Sequence, residues 1–150
     1  MQNTDIELAA QPVGYWTGLA HRRLIAHIRR EMDKNGISQP QYWLLRHLSP
    51  QDLSPDGEGV ALAELEERMT DYLLAEDDLG AEAADLLARG LLERDDRDRL
   101  RITPDGEAGR LVIHALGPGI RDRIHEGVDD ADYVTTLRVL QRMISNVETG

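Results

Sequence analysis

The segment GLLERDDRDRLRITPDGEAGR, residues 90–110, constrains the fold more than any other part of the chain. Short apolar segments lie on both sides of a charged turn at residues 95–98, a pattern that predicts a β-hairpin. Gly90 before the hairpin is typical of a helix C-cap. Thr103 and Pro104 after it predict a helix start, because Thr caps helices and Pro suits the first helical position. The sequence therefore predicts a small hairpin between two helices.

Most of the remaining chain shows apolar residues at every third or fourth position, which is the period of an amphipathic helix. We expect residues 1–11 to be a frayed arm and 49–59 to be a loop, whereas 70–77 is ambiguous. The predicted helices run from Pro12 to Lys34, from a Ser38 cap to about Leu48, from Val60 to Met69, from an Asp77 or Asp78 cap to Arg89, from Thr103 onwards, and from an Asp129 or Asp130 cap to about Val147.

Two features distinguish the last third of the chain. Gly117-Pro118-Gly119 interrupts a helical pattern, and we expect a kink or break there because Pro removes a backbone donor. The last predicted helix has apolar residues spaced four, three, four and three apart: Tyr133, Leu137, Leu140, Ile144 and Val147. This heptad pattern predicts packing against a long helix, either the first helix of the same chain or a partner's copy.

Composition limits the class of protein. The chain has 150 residues, 41% of them apolar, with two Trp, four Tyr, no Phe and no Cys. This is enough apolar material for one domain with an aliphatic core, and the lack of Cys excludes disulfides and thiolate chemistry. No signal peptide or long apolar run is evident, so we expect a cytoplasmic protein without a membrane partner. A net charge of −11 argues against non-specific nucleic-acid binding but allows a local basic surface.

The segment LLARGLLERDDRDRLRITPDGEAGRL resembles the end of the recognition helix, the wing and the next helix of the MarR family of bacterial transcriptional regulators. The segments GYWTGLAHRRLIAHIR and DDADYVTTLRVLQRMISNV are similar to the first and last helices of actinobacterial members, and the resemblance spans about residues 12–147. The positions that match the family's wing pattern are Gly90, Arg94, Asp98, Arg99, Ile102, Thr103, Pro104 and Gly106.

The resemblance implies a mainly α fold with a small β-hairpin wing. It implies a single domain over 1–150, in which 12–35 and 104–148 form dimerisation helices and 38–103 form the winged helix-turn-helix lobe. A homodimer would then present two lobes to successive major grooves of double-stranded operator DNA. Many family members also bind a small, often aromatic anion between the dimerisation helices and the lobe, and then release DNA.

Arginines of the wing and of the preceding helix end are the predicted DNA-binding residues: Arg89, Arg94, Arg97, Arg99 and Arg101. Arg97, Arg99 and Arg101 alternate, so in a strand they would share one face and could contact phosphates and the minor groove. The alternative is a solvated hairpin whose arginines pair with the adjacent acids, since residues 89–110 contain six Arg and six acidic residues.

The predicted recognition helix departs from the family pattern. Residues 60–92 contain two basic and nine acidic side chains, a net charge of −7. A carboxylate that faces phosphate weakens binding, whereas each basic contact adds a salt-dependent gain. Two functions therefore remain open: a DNA-binding transcriptional regulator, or a winged-helix dimer that has lost operator binding and acts through protein or ligand contacts.

Aromatic and imidazole side chains concentrate in the first two predicted helices and suggest a ligand cleft. The predicted ligand-binding residues are Tyr15, Trp16, His21, Trp43 and His47. Alternatively, these residues only belong to the core or to a dimer interface. The five His show no metal-ligand spacing, and no phosphate loop or nucleophile motif is present. We therefore expect no metal, no cofactor, no catalytic residue and no enzymatic activity.

Overall fold

The structure is a computed structural model that describes residues 3–149. It is mainly α-helical with one small antiparallel hairpin, which confirms the predicted fold class. The elements are α1 (Asp5–Ala9), α2 (Val13–Asp33), α3 (Gln39–Leu48), α4 (Leu62–Arg68), α5 (Leu79–Ala88), β1 (Leu92–Arg94), β2 (Leu100–Ile102), α6 (Pro104–His125) and α7 (Asp130–Glu148). The chain forms two compact units, one up to Gly117 and one from Pro118 onwards.

Helices α3 and α5 begin where the sequence places capping residues. The side chain of Ser38 accepts the Gln41 N–H, and Gln41 returns a bond to the Ser38 N–H, so α3 has a complete capping box. Asp78 caps α5 by accepting the Ala81 N–H at 3.0 Å. Helix α5 ends before Gly90, whose φ of +74° is a left-handed conformation that glycine adopts without strain.

The hairpin pairs β1 with β2 and a third short segment. Leu92 lies opposite Ile102 and Arg94 opposite Leu100 in the antiparallel register. Val60 exchanges two backbone hydrogen bonds with Leu100, of 2.9 and 2.8 Å, so the loop before α4 extends the sheet by one residue. Asp98 in the turn has a φ of +59°, in a region that Asp tolerates better than most residues. The outer edge of β2 is therefore paired at Leu100.

One aliphatic core joins the hairpin to the helices of the first unit. The side chains that are almost completely buried are Leu44, Leu45, Leu48, Leu65, Met69, Leu86, Leu92, Leu100 and Ile113. These residues come from α3, α4 with its C-cap, α5, both strands and the first half of α6, and the hairpin contacts both α3 and α5. Burying each such side chain stabilises the fold by about 1.5–3 kcal/mol.

The start of α6 fixes the base of the hairpin. A Cβ added to Gly106 would lie 2.0 Å from the Leu91 carbonyl oxygen, so only glycine allows this approach. The Thr103 hydroxyl donates to the Gly90 carbonyl at 2.6 Å and accepts the Gly106 N–H at 3.0 Å. The Thr-Pro-Asp-Gly sequence therefore starts α6 and at the same time attaches it to the end of α5.

Three sequence predictions are corrected. Part of the predicted frayed arm is the short helix α1, which begins at a capping box of Thr4 and Glu7. Of the kink or break expected at Pro118, the break is excluded, since α6 continues through Pro118. Pro118 removes only one backbone hydrogen bond, and the neighbouring turns keep theirs. Pro12 precedes α2 as its N-cap residue rather than lying in its first turn.

The second unit leaves the heptad residues of α7 largely exposed. Leu137 is 40% exposed, Ile144 53% and Val147 80%, while Tyr133 packs its ring 4.4 Å from that of His125. Asp129 is the N-cap residue of α7, although its side chain makes no capping hydrogen bond.

In residues 3–149, no helix combines the length and the apolar character that crossing a bilayer requires.

Candidate functional site

Two of the predicted DNA-binding arginines point into solvent without an acidic partner. Arg97 lies in the turn and Arg101 in β2, and both are exposed. Within residues 3–149 neither forms an ion pair, although Glu93 lies opposite Arg101 in the register. The guanidinium groups of these two residues are therefore available to an outside anion.

The other two hairpin arginines are paired within the turn. Arg94 lies 3.1 Å from the Asp98 carboxylate, in an exposed pair. Arg99 donates from Nε to Asp95 at 2.8 Å and lies 3.8 Å from Glu58. The exposed Arg94–Asp98 pair contributes little to stability and can exchange partners, whereas the Asp95 side chain is only 8% exposed.

Asp95 shapes the turn as well as holding Arg99. Its Oδ1 accepts the backbone N–H groups of Arg97 and Arg99, both at 2.9 Å. The hydrogen bond from the Arg99 N–H, followed by those from the Arg97 N–H and the Arg99 guanidinium, lowers the pKa of Asp95 below its ordinary value. Asp95 therefore stays ionised at neutral pH, and its carboxylate binds groups of the hairpin itself.

The three alternating arginines are split between the turn and the strand. Strand β2 begins at Leu100, and the left-handed Asp98 breaks the period of two before Arg99. Arg99 and Arg101 do share a face, since a Cβ built at Gly59 would lie 2.9 Å from the first and 3.2 Å from the second. Arg97 lies at the tip of the hairpin instead.

Helix α5 presents mainly alanine to solvent. Its exposed positions are Ala81, Ala84, Asp85, Ala88 and, at its C-cap, Arg89. Arg89 lies 3.1 Å from Asp85, one helical turn earlier. Gln41 of α3 donates to the same Asp85 oxygen at 2.8 Å. Among these exposed positions Arg89 is the one cation, and the carboxylate that binds it also accepts a hydrogen bond from α3.

More than half of the acids counted against DNA binding have partners within the protein. Asp77 forms a bidentate pair with Arg29 at 2.7 and 2.8 Å, and Glu82 accepts the Ser38 hydroxyl. The acids with internal partners are Glu64, Asp77, Asp78, Glu82 and Asp85. The others, exposed and unpaired within residues 3–149, are Glu66, Glu67, Asp71 and Glu76.

Arg110, the sixth arginine of the 89–110 segment, is structural. Its side chain is only 5% exposed, binds Glu107 one turn earlier and lies 3.2 Å from Asp52. Glu107 also accepts the Ser49 hydroxyl at 2.8 Å, and the Arg110 guanidinium lowers the pKa of Glu107. This network connects α6 to the end of α3 and is not part of the exposed surface of the hairpin.

A cavity of about 460 Å³ lies between α2 and the segment before α5. It is lined by His21, Arg22, Ile25, Ala26, Arg29, Leu74 and Glu76. The Asp77 carboxylate neutralises Arg29, whereas Arg22 has no ion pair within the described part of the chain. An apolar floor with a free guanidinium and an imidazole is suited to a small aromatic anion.

The other predicted ligand residues do not line this cavity. Trp43 and His47 of α3 surround Tyr72, with ring centres 5.4 and 6.4 Å from it. Tyr15 and Trp16 contact each other edge to face at 5.3 Å, and both are exposed. The structure therefore separates the five residues into three places, with only His21 at the cavity.

Some residues of these sites were missed by the sequence analysis. Arg22, Leu74 and Glu76 line the cavity, and Tyr72 joins the aromatic group around Trp43. Arg22 is a cation one position after His21, a signal that was available. Leu74, Tyr72 and Glu76 lie in the segment left ambiguous, and no sequence pattern places that segment against α2. Within residues 3–149 no group of three or more His, Asp or Glu side chains is placed to hold a metal ion.

Comparison with solved structures shows which fold this is. The reduced form of MarR from E. coli is 17% identical, with a TM-score of 0.69 over 93% of this chain and 98% of that chain. The Mycobacterium tuberculosis MarR-family protein Rv2887 in complex with DNA is 16% identical, with a TM-score of 0.66 over 89% and 98%. The same protein in complex with p-aminosalicylic acid is 18% identical, with a TM-score of 0.63 over 89% and 98%.

These likenesses establish the architecture. The chain has the winged-helix fold of the MarR family of transcriptional regulators, as its resemblance to the family predicts. No protein-family model matches the sequence, and no curated protein does. The hairpin of β1 and β2 is the wing of this fold, and α5 is the helix that the sequence analysis predicts as the recognition helix.

Proposed function

We propose that this protein is a DNA-binding transcriptional regulator that acts as a homodimer in the cytoplasm and responds to a small aromatic anion. The observation that supports DNA binding most strongly is the wing, which has two exposed arginines, Arg97 and Arg101, that form no ion pair with any residue of 3–149. A protein with this fold has been solved in complex with DNA.

The wing would contact DNA at the minor groove and its phosphates. Arg97 at the tip and Arg101 in β2 provide two separate cations, and Asp95 keeps Arg99 oriented beside them. Arginine is suited to this role because its planar guanidinium donates several hydrogen bonds to phosphate or base oxygens. Helix α5 would enter the adjacent major groove with Arg89 as its cation.

Dimerisation would bury the exposed apolar residues of α7. A heptad of largely exposed apolar side chains is unusual on a surface that faces only water. Val134, Leu137, Ile144 and Val147 are each at least 40% exposed in the single chain. A second copy of the chain is the partner that the resemblance to MarR regulators implies for this helix.

The ligand site would be the cavity between α2 and the segment before α5. Arg22 would bind a carboxylate, and Ile25, Ala26 and Leu74 would contact an aromatic ring. Complexes with p-aminosalicylic acid and salicylic acid exist for a protein with this fold. A ligand here would contact α2 and the residues leading into α5 together, so binding would change how α5 is presented.

Salt-titrated binding to the DNA upstream of the protein's own coding sequence tests this function. A regulator should prefer that duplex over a shuffled one, and its affinity should fall steeply with salt concentration. Adding salicylate should weaken the complex. If the acidic surface instead prevents operator binding, the protein binds neither duplex at low or high salt. That result would favour a winged-helix dimer that acts through protein or ligand contacts.

A further inference from the structure

A buried amide at the start of α3 has a fixed orientation. Gln41 is 5% exposed, and its Oε1 accepts the Ser38 backbone N–H at 3.0 Å as part of the capping box. With the oxygen used in this way, the Nε2 group must face the opposite side. It therefore points from α3 towards α5 and can only donate there.

The donor group of Gln41 meets a carboxylate of the recognition helix. Its Nε2 donates to Asp85 Oδ2 at 2.8 Å, and Arg89 Nη1 donates to the same oxygen at 3.1 Å. The hydrogen bond from Gln41, followed by that from Arg89, lowers the pKa of Asp85. Asp85 is therefore an ionised acceptor that connects α3 to the arginine at the end of α5.

Arg89 keeps most of its donors free in this arrangement. Its side chain is 39% exposed, and Asp85 is its only hydrogen-bond partner within residues 3–149. A guanidinium has five N–H donors, so one bond restricts the rotamers of the long side chain and leaves the others for a ligand. A held arginine loses less entropy on binding than a free one.

We propose that Gln41 and Asp85 are positioning residues that hold Arg89 for contact with a phosphate oxygen of duplex DNA. This inference rests on the proposed DNA-binding function and deepens it. It gives the acid at the centre of the exposed face of α5 a role that supports binding. The chain of contacts runs from the capping box of α3, through Gln41 and Asp85, to the guanidinium.

The positioning role and simple repulsion predict opposite signs for one substitution. If the Asp85 carboxylate only repels phosphates, replacing it by an amide should increase the affinity of the protein for DNA. If the carboxylate holds Arg89, the same replacement should decrease the affinity, although the protein loses a negative charge. Asp85→Asn keeps the size of the side chain and therefore separates the two.

The experiment measures fluorescence anisotropy with the duplex that the wild-type protein selects from a randomised library. Arg89→Ala should weaken binding by about tenfold, as expected for loss of one charge-assisted hydrogen bond. It should also reduce the slope of log affinity against log salt by about 0.9. Asp85→Asn should weaken binding by about threefold, an intermediate loss because Arg89 remains but is less restricted.

The double variant completes the test. Without Arg89 there is no guanidinium to position, so adding Asp85→Asn to Arg89→Ala should raise the affinity slightly. Asp85→Asn can raise the affinity both in the wild-type protein and in Arg89→Ala, or it can leave the affinity of both unchanged. Either result would show that the positioning role is wrong, while sequence-specific binding stands. If the wild-type protein selects no duplex, the proposed function fails first and this inference fails with it.

Gln41→Glu provides an independent variant, since Glu can complete the capping box with Ser38 but cannot donate to Asp85. It should weaken binding about as much as Asp85→Asn. Glu64→Gln is the matched control, because Glu64 and Arg68 form a pair of the same spacing on α4 with no third donor. It should not weaken binding. Thermal unfolding of each variant verifies that it is folded. If Gln41→Glu does not fold, Asp85→Asn, at an exposed position, still tests the positioning role.

Discussion

The wing and helix α5 differ in which of their charged side chains are paired within the protein. The wing belongs to a segment with equal numbers of acidic and basic residues, yet Arg97 and Arg101 are exposed and form no ion pair within the part of the chain that the structure describes. The region around α5 has a net charge of −7, yet Asp77 and Glu82 are bound to partners inside the protein. A count of charges describes neither surface, because it ignores which charges are already paired.

Under the proposed function, this difference would make the wing the main DNA contact. Two free cations at the wing attract phosphate, whereas α5 offers alanines and one restrained arginine. The acids that remain unpaired near α5, such as Glu66 and Asp71, lie on α4 and the segment after it. The experiments below test this contrast, beginning with the largest expected effect.

The contrast requires that Arg110, although close in sequence, does not belong to the wing surface. Arg110→Met should lower the free energy of unfolding by about 4 kcal/mol, because it leaves the enclosed Glu107 carboxylate without its guanidinium partner and removes one of the two arginines that bind Asp52, the other being Arg46. Denaturant unfolding measures this loss. Arg97→Met is the matched control in the exposed turn and should change stability by less than about 0.5 kcal/mol. Equal losses for the two variants would mean that Arg110 is not structural.

Removing the free cations of the wing should abolish most of the DNA affinity. Arg97→Ala with Arg101→Ala should weaken binding by about 100-fold, from about tenfold for each charge-assisted contact, and reduce the salt slope by about two. Anisotropy titrations at several salt concentrations give both quantities. The control pair Arg138→Ala and Arg142→Ala removes the same charge from exposed positions of α7. An equal loss in the control would show that only net charge matters.

The pH dependence of unfolding separates paired acids from solvated ones. The Arg110 guanidinium holds the pKa of Glu107 below its ordinary 4.5, so its stabilising effect is complete above pH 4.5. This effect is lost as the pH falls through the lowered value in the folded protein. Glu107→Gln should therefore lower stability at pH 7 and flatten its decline towards pH 3, as denaturant unfolding at each pH would show. Glu67→Gln, at an exposed position, should leave the decline unchanged, and parallel curves for Glu107→Gln would contradict the assignment.

The smallest expected effect lies in the turn of the wing. Asp98 has a φ of +59°, and left-handed backbone costs an L residue roughly 1–2 kcal/mol. Asp98→Gly removes this strain but adds conformational entropy to the unfolded chain, so we expect a gain of about 0.5 kcal/mol. Asp96→Gly, in the same turn without a left-handed φ, should instead lower stability. A loss for both variants would show that Asp98 is not strained.

The sequence predicted the helices, the hairpin and the start of α6 well, because local signals determine them. Ser38, Asp78, Gly90 and Thr103 lie at the helix boundaries where their capping chemistry placed them. The continuity of α6 at Pro118 was not predictable in this way. It depends on whether the remaining hydrogen bonds of the helix outweigh one lost bond.

The site was predicted less completely, because it depends on contacts between distant residues. The pairing of Arg29 with Asp77 and of Gln41 with Asp85 joins residues more than 40 positions apart. Sequence periodicity cannot show such pairs, so the acids near α5 were all counted as repulsive. The aromatic residues were grouped by proximity in the sequence, whereas the loop containing Tyr72 determines which of them meet.

Site-directed cleavage of DNA tests the central role of the wing most directly. The chain has no Cys, so Asp96→Cys at the wing, Ala84→Cys on α5 and Ser145→Cys on α7 can each take a single iron-chelate label. On the duplex that the protein selects, the Asp96→Cys label should cut both strands across the minor groove on the flanks of the binding site. The Ala84→Cys label on α5 should cut within the binding site, and the Ser145→Cys label on α7 should not cut. Cleavage from the α5 label without any from the wing label would contradict the account.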